Sequence, residues 1–183
     1  FKQFLTLMRR QIKKLINNKQ QLLLLILQAP LNAYLLSLIV TKNIFYSYEE
    51  TKSILFSIAT SAVWLGLLNS IQEICKERVI LEKEYMADLK LSSYIISKIL
   101  YLALLALIQS FLLVTAFKIF VDVPVKGVVW SWYLETVVVI FITILSASTI
   151  GLVVSSLSKD SSVAMTYAPL LLVPQLLFSG MLF

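Results

Sequence analysis

The stretch KERVILEKEYMADLKLSSYIISK, residues 76–98, interrupts a chain that is apolar along most of its length. Counting Glu73 just ahead of it, ten charged residues gather here: Glu73, Glu77, Glu82, Glu84 and Asp88, with Lys76, Arg78, Lys83, Lys90 and Lys98. Those five acids are half of the ten in the whole sequence, which marks the block off from everything around it. It separates two runs that are each long enough to cross a bilayer. A block of this charge stays outside hydrocarbon and is a candidate docking surface.

Outward from the block the composition sets the class. With 183 residues, 59% hydrophobic and only 14% charged, the chain lies outside the range of soluble domains and reads as an integral membrane protein. A helix needs about 20 apolar residues to cross the hydrocarbon, and lipid tolerates no unpaired backbone. Five segments meet that length, at 21–40, 53–72, 99–121, 134–157 and 163–183. None shows the period-two alternation of a membrane β-strand. The fold expected is all-α, a polytopic transmembrane helical bundle. The chain starts at Phe1 and stops inside an apolar run at Phe183, and is read as a fragment of a longer protein.

Basic residues set the expected orientation. Segments 1–20, 73–98 and 158–162 carry six, five and one, against two each in the loops 41–52 and 118–133. Twelve against four places the N-terminus and the charged block in the cytoplasm, in a multi-pass plasma membrane or bacterial cytoplasmic membrane protein. Trp130, Trp132 and Tyr133 then fall at the outer interface.

Residues 1–20 form an amphipathic helix. Phe4, Leu5, Met8, Ile12, Leu15 and Ile16 share one face, with Lys2, Arg9, Arg10, Lys13 and Lys14 opposite and no acid. Such a helix suits an anionic leaflet or serves as a plain juxtamembrane anchor, and Asn17 and Asn18 end it. Within 76–98, Leu81, Tyr85, Met86 and Leu89 share a face, and Arg78 and Glu82 are spaced as an i, i+4 pair. The mixed signs favour a protein partner over lipid.

Inside the spans the polar features are few. Gln28 and Asn32 flank Pro30 and are expected to bond a neighbouring helix. Ala62, Gly66 and Ser70, and likewise Ala147, Gly151 and Ser155, form small-residue stripes that permit close helix packing. Pro169 and Pro174 are sites where the last span can unwind. Glu135 reads as a solvated interfacial carboxylate before a cation ligand. The single cysteine, Cys75, excludes an internal disulfide.

Taken together, these residues resemble the membrane domain of G-type ABC exporters, part of the type-2 ABC permease superfamily. Gln3, Phe4 and the pair Arg9 and Arg10 match that family's connecting helix, here 1–20. Glu77, Arg78, Lys83, Glu84 and Tyr85 match its coupling region, with Lys83 where arginine is usual. The run SSYIISKIL at 92–100, Gly151 with the following serines, Pro169, Gln175 and the triplet Phe178, Ser179 and Gly180 match its third to fifth spans.

The resemblance implies six spans, of which five are here, and a coupling helix within 76–98 seated on a nucleotide-binding domain, fused or separate. It assigns that contact to Glu77, Arg78, Glu82, Lys83, Glu84 and Tyr85, and a polar cluster to Arg10, Gln72 and Glu77. Ser61, Ala62, Leu65, Val173 and Leu176 match pocket-lining positions, and Met181 and Leu182 the apolar plug above them. Leu65 stands where a multidrug member has an aromatic residue, so a lipid-like substrate fits better than a flat aromatic drug. A second membrane half, identical or different, and membrane lipids are the further partners implied. Mg-ATP belongs to the partner ATPase domain.

The sequence carries no phosphate-binding loop, no histidine, no Gly-x-Ser-x-Gly elbow and no paired intramembrane carboxylates. No catalytic residue, metal site, resident cofactor or nucleic-acid partner is expected in this segment. An intramembrane hydrolase is disfavoured on the same grounds. A channel or assembly scaffold without ATP coupling is the alternative, although no ring of pore charges is evident.

Overall fold

A computed structural model describes residues 2–40, 45, 47–86, 89–121, 123, 127 and 130–177, with Lys2 and residues 175–177 in backbone only. The regular elements are helices: α1 (Lys2–Asn17), α2 (Lys19–Ile39), α3 (Tyr48–Ser70), α4 (Arg78–Met86), α5 (Leu91–Phe120), α6 (Trp132–Leu157) and α7 (Ser161–Leu177). Among them α2, α3, α5 and α6 are long and apolar enough to cross a membrane, and α7 is a shorter apolar helix.

Their boundaries follow from local chemistry. Asn18 separates α1 from α2 and caps α2 by accepting the Gln21 amide at 3.2 Å. Ser47 and Ser131 cap α3 and α6 in the same way, accepting the Glu50 and Leu134 amides. The charged block divides differently from its sequence outline. Its helix α4 stops at Met86, and residues 91–98 form the first two turns of α5. At 30 residues α5 is about 45 Å long, against about 30 Å of hydrocarbon, so its first turns stand clear of the core.

Helices α3 and α6 make the tightest seam. Ala62, Gly66 and Ser70 face Ile144, Ala147, Ser148, Gly151 and Ser155, all buried. The Ser148 hydroxyl donates across the seam to the Gly66 carbonyl at 3.2 Å. A β-carbon at Gly66 would meet the Ile144 carbonyl and lie 2.7 Å from the Ala147 Cβ, and one at Gly151 would overlap the Ser70 hydroxyl. Both stripes seen in the sequence are therefore used against each other.

Helix α2 packs on α5, and α7 lies against α6 and α3. Near the end of α3, Asn69 donates to the Gln109 side-chain oxygen at 2.6 Å, and the Gln109 amide donates to the Leu25 carbonyl at 3.0 Å. Gln109 thereby ties three spans together. Gln28 and Asn32, expected to make such a tie, are half-buried and make no hydrogen bond among the described residues. The helix α7 continues through Pro169 and Pro174 without unwinding as far as Leu177.

At the end remote from α1, Trp132 stacks on Phe117 with centroids 6.4 Å apart and meets Phe45 edge-on at 6.1 Å. Glu135 accepts the Trp130 amide at 2.7 Å, so its carboxylate organises the start of α6.

Substitution G151V inserts a branched side chain where the Ser70 hydroxyl already sits. A loss of about 1–3 kcal/mol is expected, read as a lower melting temperature of the purified protein in detergent. An unchanged melting temperature would show that the seam does not pack here.

Candidate functional site

The charges gather where α1, the turn after α3, and the first turns of α5 meet. Residues 71–77 leave α3 through a turn and a single 3-10 turn, Cys75–Glu77, which delivers Glu73 and Glu77 to one side. Tyr94, Ser97 and Lys98 lie on the buried face of α5, and Gln11 on the buried face of α1.

Lys98 is the centre of the site, with its side chain 1% exposed. Its ammonium lies 2.8 Å from Glu73 Oε2, 2.9 Å from Glu77 Oε2 and 3.1 Å from Gln11 Oε1. An ammonium has three protons to donate, and three acceptors are in place. Glu77 is similarly saturated. One oxygen accepts from Lys14 at 2.8 Å, and the other accepts the Tyr94 hydroxyl at 3.1 Å and the Gln11 amide at 3.4 Å in addition to Lys98.

Burial alone pushes the Glu77 carboxyl up. The nearby Lys98 charge and the bonds from Lys14 and Lys98 outweigh it and hold the pKa at about 2. Glu77 is thus ionised at neutral pH and faces Lys98 and Lys14.

A second set of contacts fastens the turn to the end of α6. The Ile74 and Cys75 amides donate to Ser155 Oγ at 3.0 and 3.1 Å. Arg78 donates to the Ser158 carbonyl at 3.0 Å and to the Ser156 carbonyl at 3.2 Å. These carbonyls end a helix and carry its negative pole, so a guanidinium is the natural partner. This competition explains why the expected Arg78 and Glu82 pair does not form. Gln72 donates to the Ser161 carbonyl at 3.4 Å and takes no part in the cluster around Glu77.

Helix α4 is held at its start by these Arg78 bonds and further along by the two-toothed pair of Arg10 with Glu84. It buries no side chain. Val79, Ile80, Tyr85 and Met86 are exposed, Met86 at 88%. Glu82 and Lys83 are exposed as well, while Asp88 lies outside the described residues.

Of the residues matched to a pocket, Ala62 and Leu65 are fully buried in the core of this chain and line no open space. Ala62 lies in the seam with α6, and Leu65 is packed into the core shared by α2, α3, α5 and α6. Ser61 is half-buried with its hydroxyl returned to the Ser57 carbonyl at 2.9 Å, and Val173 is exposed on α7. Leu176 is described in backbone only, and Met181 and Leu182 lie outside the described residues.

Glu73, Lys98, Tyr94, Gln11 and Lys14 were not singled out as a site from the sequence. The available signals were Glu73 and Glu77 spaced by four, Tyr94 and Lys98 spaced by four, and a lysine at the threshold of an apolar run.

The family model for ABC-2 type transporters matches residues 2–183. The chain is 26% identical over 190 residues to the "ABC transporter ATP-binding/permease protein Rv1747" of Mycobacterium tuberculosis, a match covering 98% of this chain and 22% of that protein. The chain thus spans about a fifth of the length of the curated relative it matches. No solved structure matches it.

Two outcomes test the cluster. K98M leaves Glu73 and Glu77 without their buried cation and is expected to cost about 3–5 kcal/mol, seen as loss of folded protein or a large drop in melting temperature. Because Glu77 titrates lower when folded than the ordinary 4.5, its stabilisation is complete above about pH 5 and drains away as pH falls toward about 2. The difference in melting temperature between wild type and E77Q should therefore shrink across that window. A difference independent of pH would remove the ionised Glu77 from the account.

Proposed function

Because this chain belongs to the family of ABC-2 type transporter membrane domains, we propose that it is the transmembrane half of an ATP-driven exporter. The nucleotide-binding domain it serves seats on α4. One observation carries this reading. A short helix displays Val79, Ile80, Tyr85 and Met86 to solvent at the polar end of the bundle, yet is anchored through Arg10 and Glu84 and through the Glu77 cluster beneath it. Isolated exposed apolar residues need no explanation, but four on one nine-residue helix beside exposed Glu82 and Lys83 fit a protein partner.

In this reading Mg-ATP is bound and hydrolysed in the partner domain, and this chain contributes no catalytic residue. Movement of that domain displaces α4 and reaches the spans by two rigid connections. One runs from Glu84 to Arg10 and α1. The other runs from Arg78 to the end of α6 and from Glu77 to Lys98 on α5. The basic-residue count supports a cytoplasmic N-terminus and hence a cytoplasmic α4.

The substrate proposed is lipid-like or amphipathic and leaves the cytoplasm or the inner leaflet. The accessible candidates for its path are Ser61 on α3 and Val173 on α7; Leu176, Met181 and Leu182 are carried over from the resemblance alone. A second membrane half, identical or different, closes that path. Ala62 enters it only if α3 separates from α6, and Leu65 only if the core that α3 shares with its neighbours opens.

Reversing Glu77 and Arg78 would strike the buried cluster and the α6 cap, and would confuse folding with coupling. The exposed pair Tyr85 and Met86 avoids this. In the full transporter, Y85A/M86S should leave membrane insertion and melting temperature unchanged and lower substrate-stimulated ATP hydrolysis at least about tenfold, the loss expected when an interface hot spot worth more than about 1.4 kcal/mol is removed. Unchanged ATPase and transport in that variant would sink the assignment of α4 and favour a channel or scaffold.

A further inference from the structure

Helix α1 sends its cations in two directions. Arg10 and Lys14 turn toward α4 and Glu77 and are paired there. Arg9 and Lys13 are exposed and make no ion pair among the described residues. Together with Thr6 and the outer flanks of Arg10 and Lys14, they line an open groove of about 480 Å³ that has four cations and no acid in its wall.

Beside Arg9 and Lys13, on the side away from the paired cations, run Leu5, Ile12 and Ile16, exposed at 51%, 37% and 58%. At 3.6 residues per turn these three fall within an arc of about 40°, distinct from the face of Leu7, Gln11 and Leu15 that packs on the protein. An uncovered apolar stripe edged by unpaired cations is the pattern of a helix that meets a membrane surface. Its position agrees, since only Asn18 separates α1 from the start of the span α2.

We propose that this face of α1 is a binding site for anionic phospholipid. Leu5, Ile12 and Ile16 enter the headgroup and acyl boundary, and Arg9 and Lys13 hold the headgroup phosphate. Charge complementarity selects the occupant, because residues 1–20 contain six basic residues and no acid. Helix α4, which carries both signs, offers lipid no such field. The site stands apart from the coupling reading and survives its failure. Its consequence is mechanical: a lipid held on Arg9 and Lys13 pins the same helix that grips Glu84 and Glu77 on its other side.

The test uses the full transporter, ATPase domain included, in nanodiscs of phosphatidylcholine with and without phosphatidylglycerol, and counts retained lipids by native mass spectrometry. Wild type should retain phosphatidylglycerol over phosphatidylcholine. R9Q/K13Q should lower that preference about thirtyfold and either single substitution about fivefold, as expected for cations worth about 1 kcal/mol each at a surface. K118Q, which removes a cation from the far end of the bundle, should leave it unchanged. Equal retention of the two lipids by wild type, or undiminished preference in R9Q/K13Q, overturns the proposal. So does a preference that emerges only after the ATPase domain is cut away, since the groove would then be covered by protein.

Discussion

A lysine ammonium almost completely withdrawn from water is the constraint on which the polar end of this protein depends. Stripping Lys98 of solvent costs several kcal/mol unless every proton is accepted and the charge is balanced. Glu73, Glu77 and Gln11 meet both demands, and they come from two other parts of the chain. Once Lys98 sits at the mouth of α5, the turn after α3 must bring its acids there and α1 must lie alongside to offer Gln11 and Lys14. The positions of α1, the turn and α5 are thus one solution to one electrostatic problem.

The rest of the bundle is held by different means. Between α3 and α6 there are no charges, and the force is close contact between small residues, sharpened by the Ser148 bond to the Gly66 carbonyl. Toward the charged end, the Asn69, Gln109 and Leu25 chain pairs polar groups packed between three helices. The two regimes meet at Ser155, which belongs to the small-residue stripe and also accepts the Ile74 and Cys75 amides. The seam and the charged cluster are therefore connected by backbone, and a displacement of the turn is felt directly at the end of α6.

Four of the spans were legible in the sequence because hydrocarbon imposes a length and forbids charge, while the fifth, 163–183, runs past the described residues. The seam was legible for a similar reason: Gly66 and Gly151 occur in stripes of period four, which have one packing use. The cluster was legible only in part. Charge density located Glu77, but the family resemblance attached it to Arg10 and Gln72, whereas Arg10 pairs with Glu84 and Gln72 bonds the Ser161 carbonyl. Which carboxylate meets which cation depends on how two helices and a turn are phased, and local spacing does not encode that. Arg78 shows the same limit. Its i, i+4 partner Glu82 is visible in sequence, while the stronger acceptors at the end of α6 lie some eighty residues away along the chain.

The burial of Ala62 and Leu65 bears on how a substrate could pass. A face of α3 that is closed by Gly66 against the Ile144 carbonyl cannot open by side-chain rotation, because backbone meets backbone there. Exposing Ala62 would require α3 and α6 to part along their length, breaking the Ser148 bond and the contacts of Ser70 with Gly151. The turn at 71–77 is bonded to α6 and the cluster above it to α5, so the described contacts favour α3, α5 and α6 moving together as a unit. On the proposed reading, transport then proceeds along the outer faces of α3 and α7, by movement of this unit against a second membrane half, with the internal seam left shut.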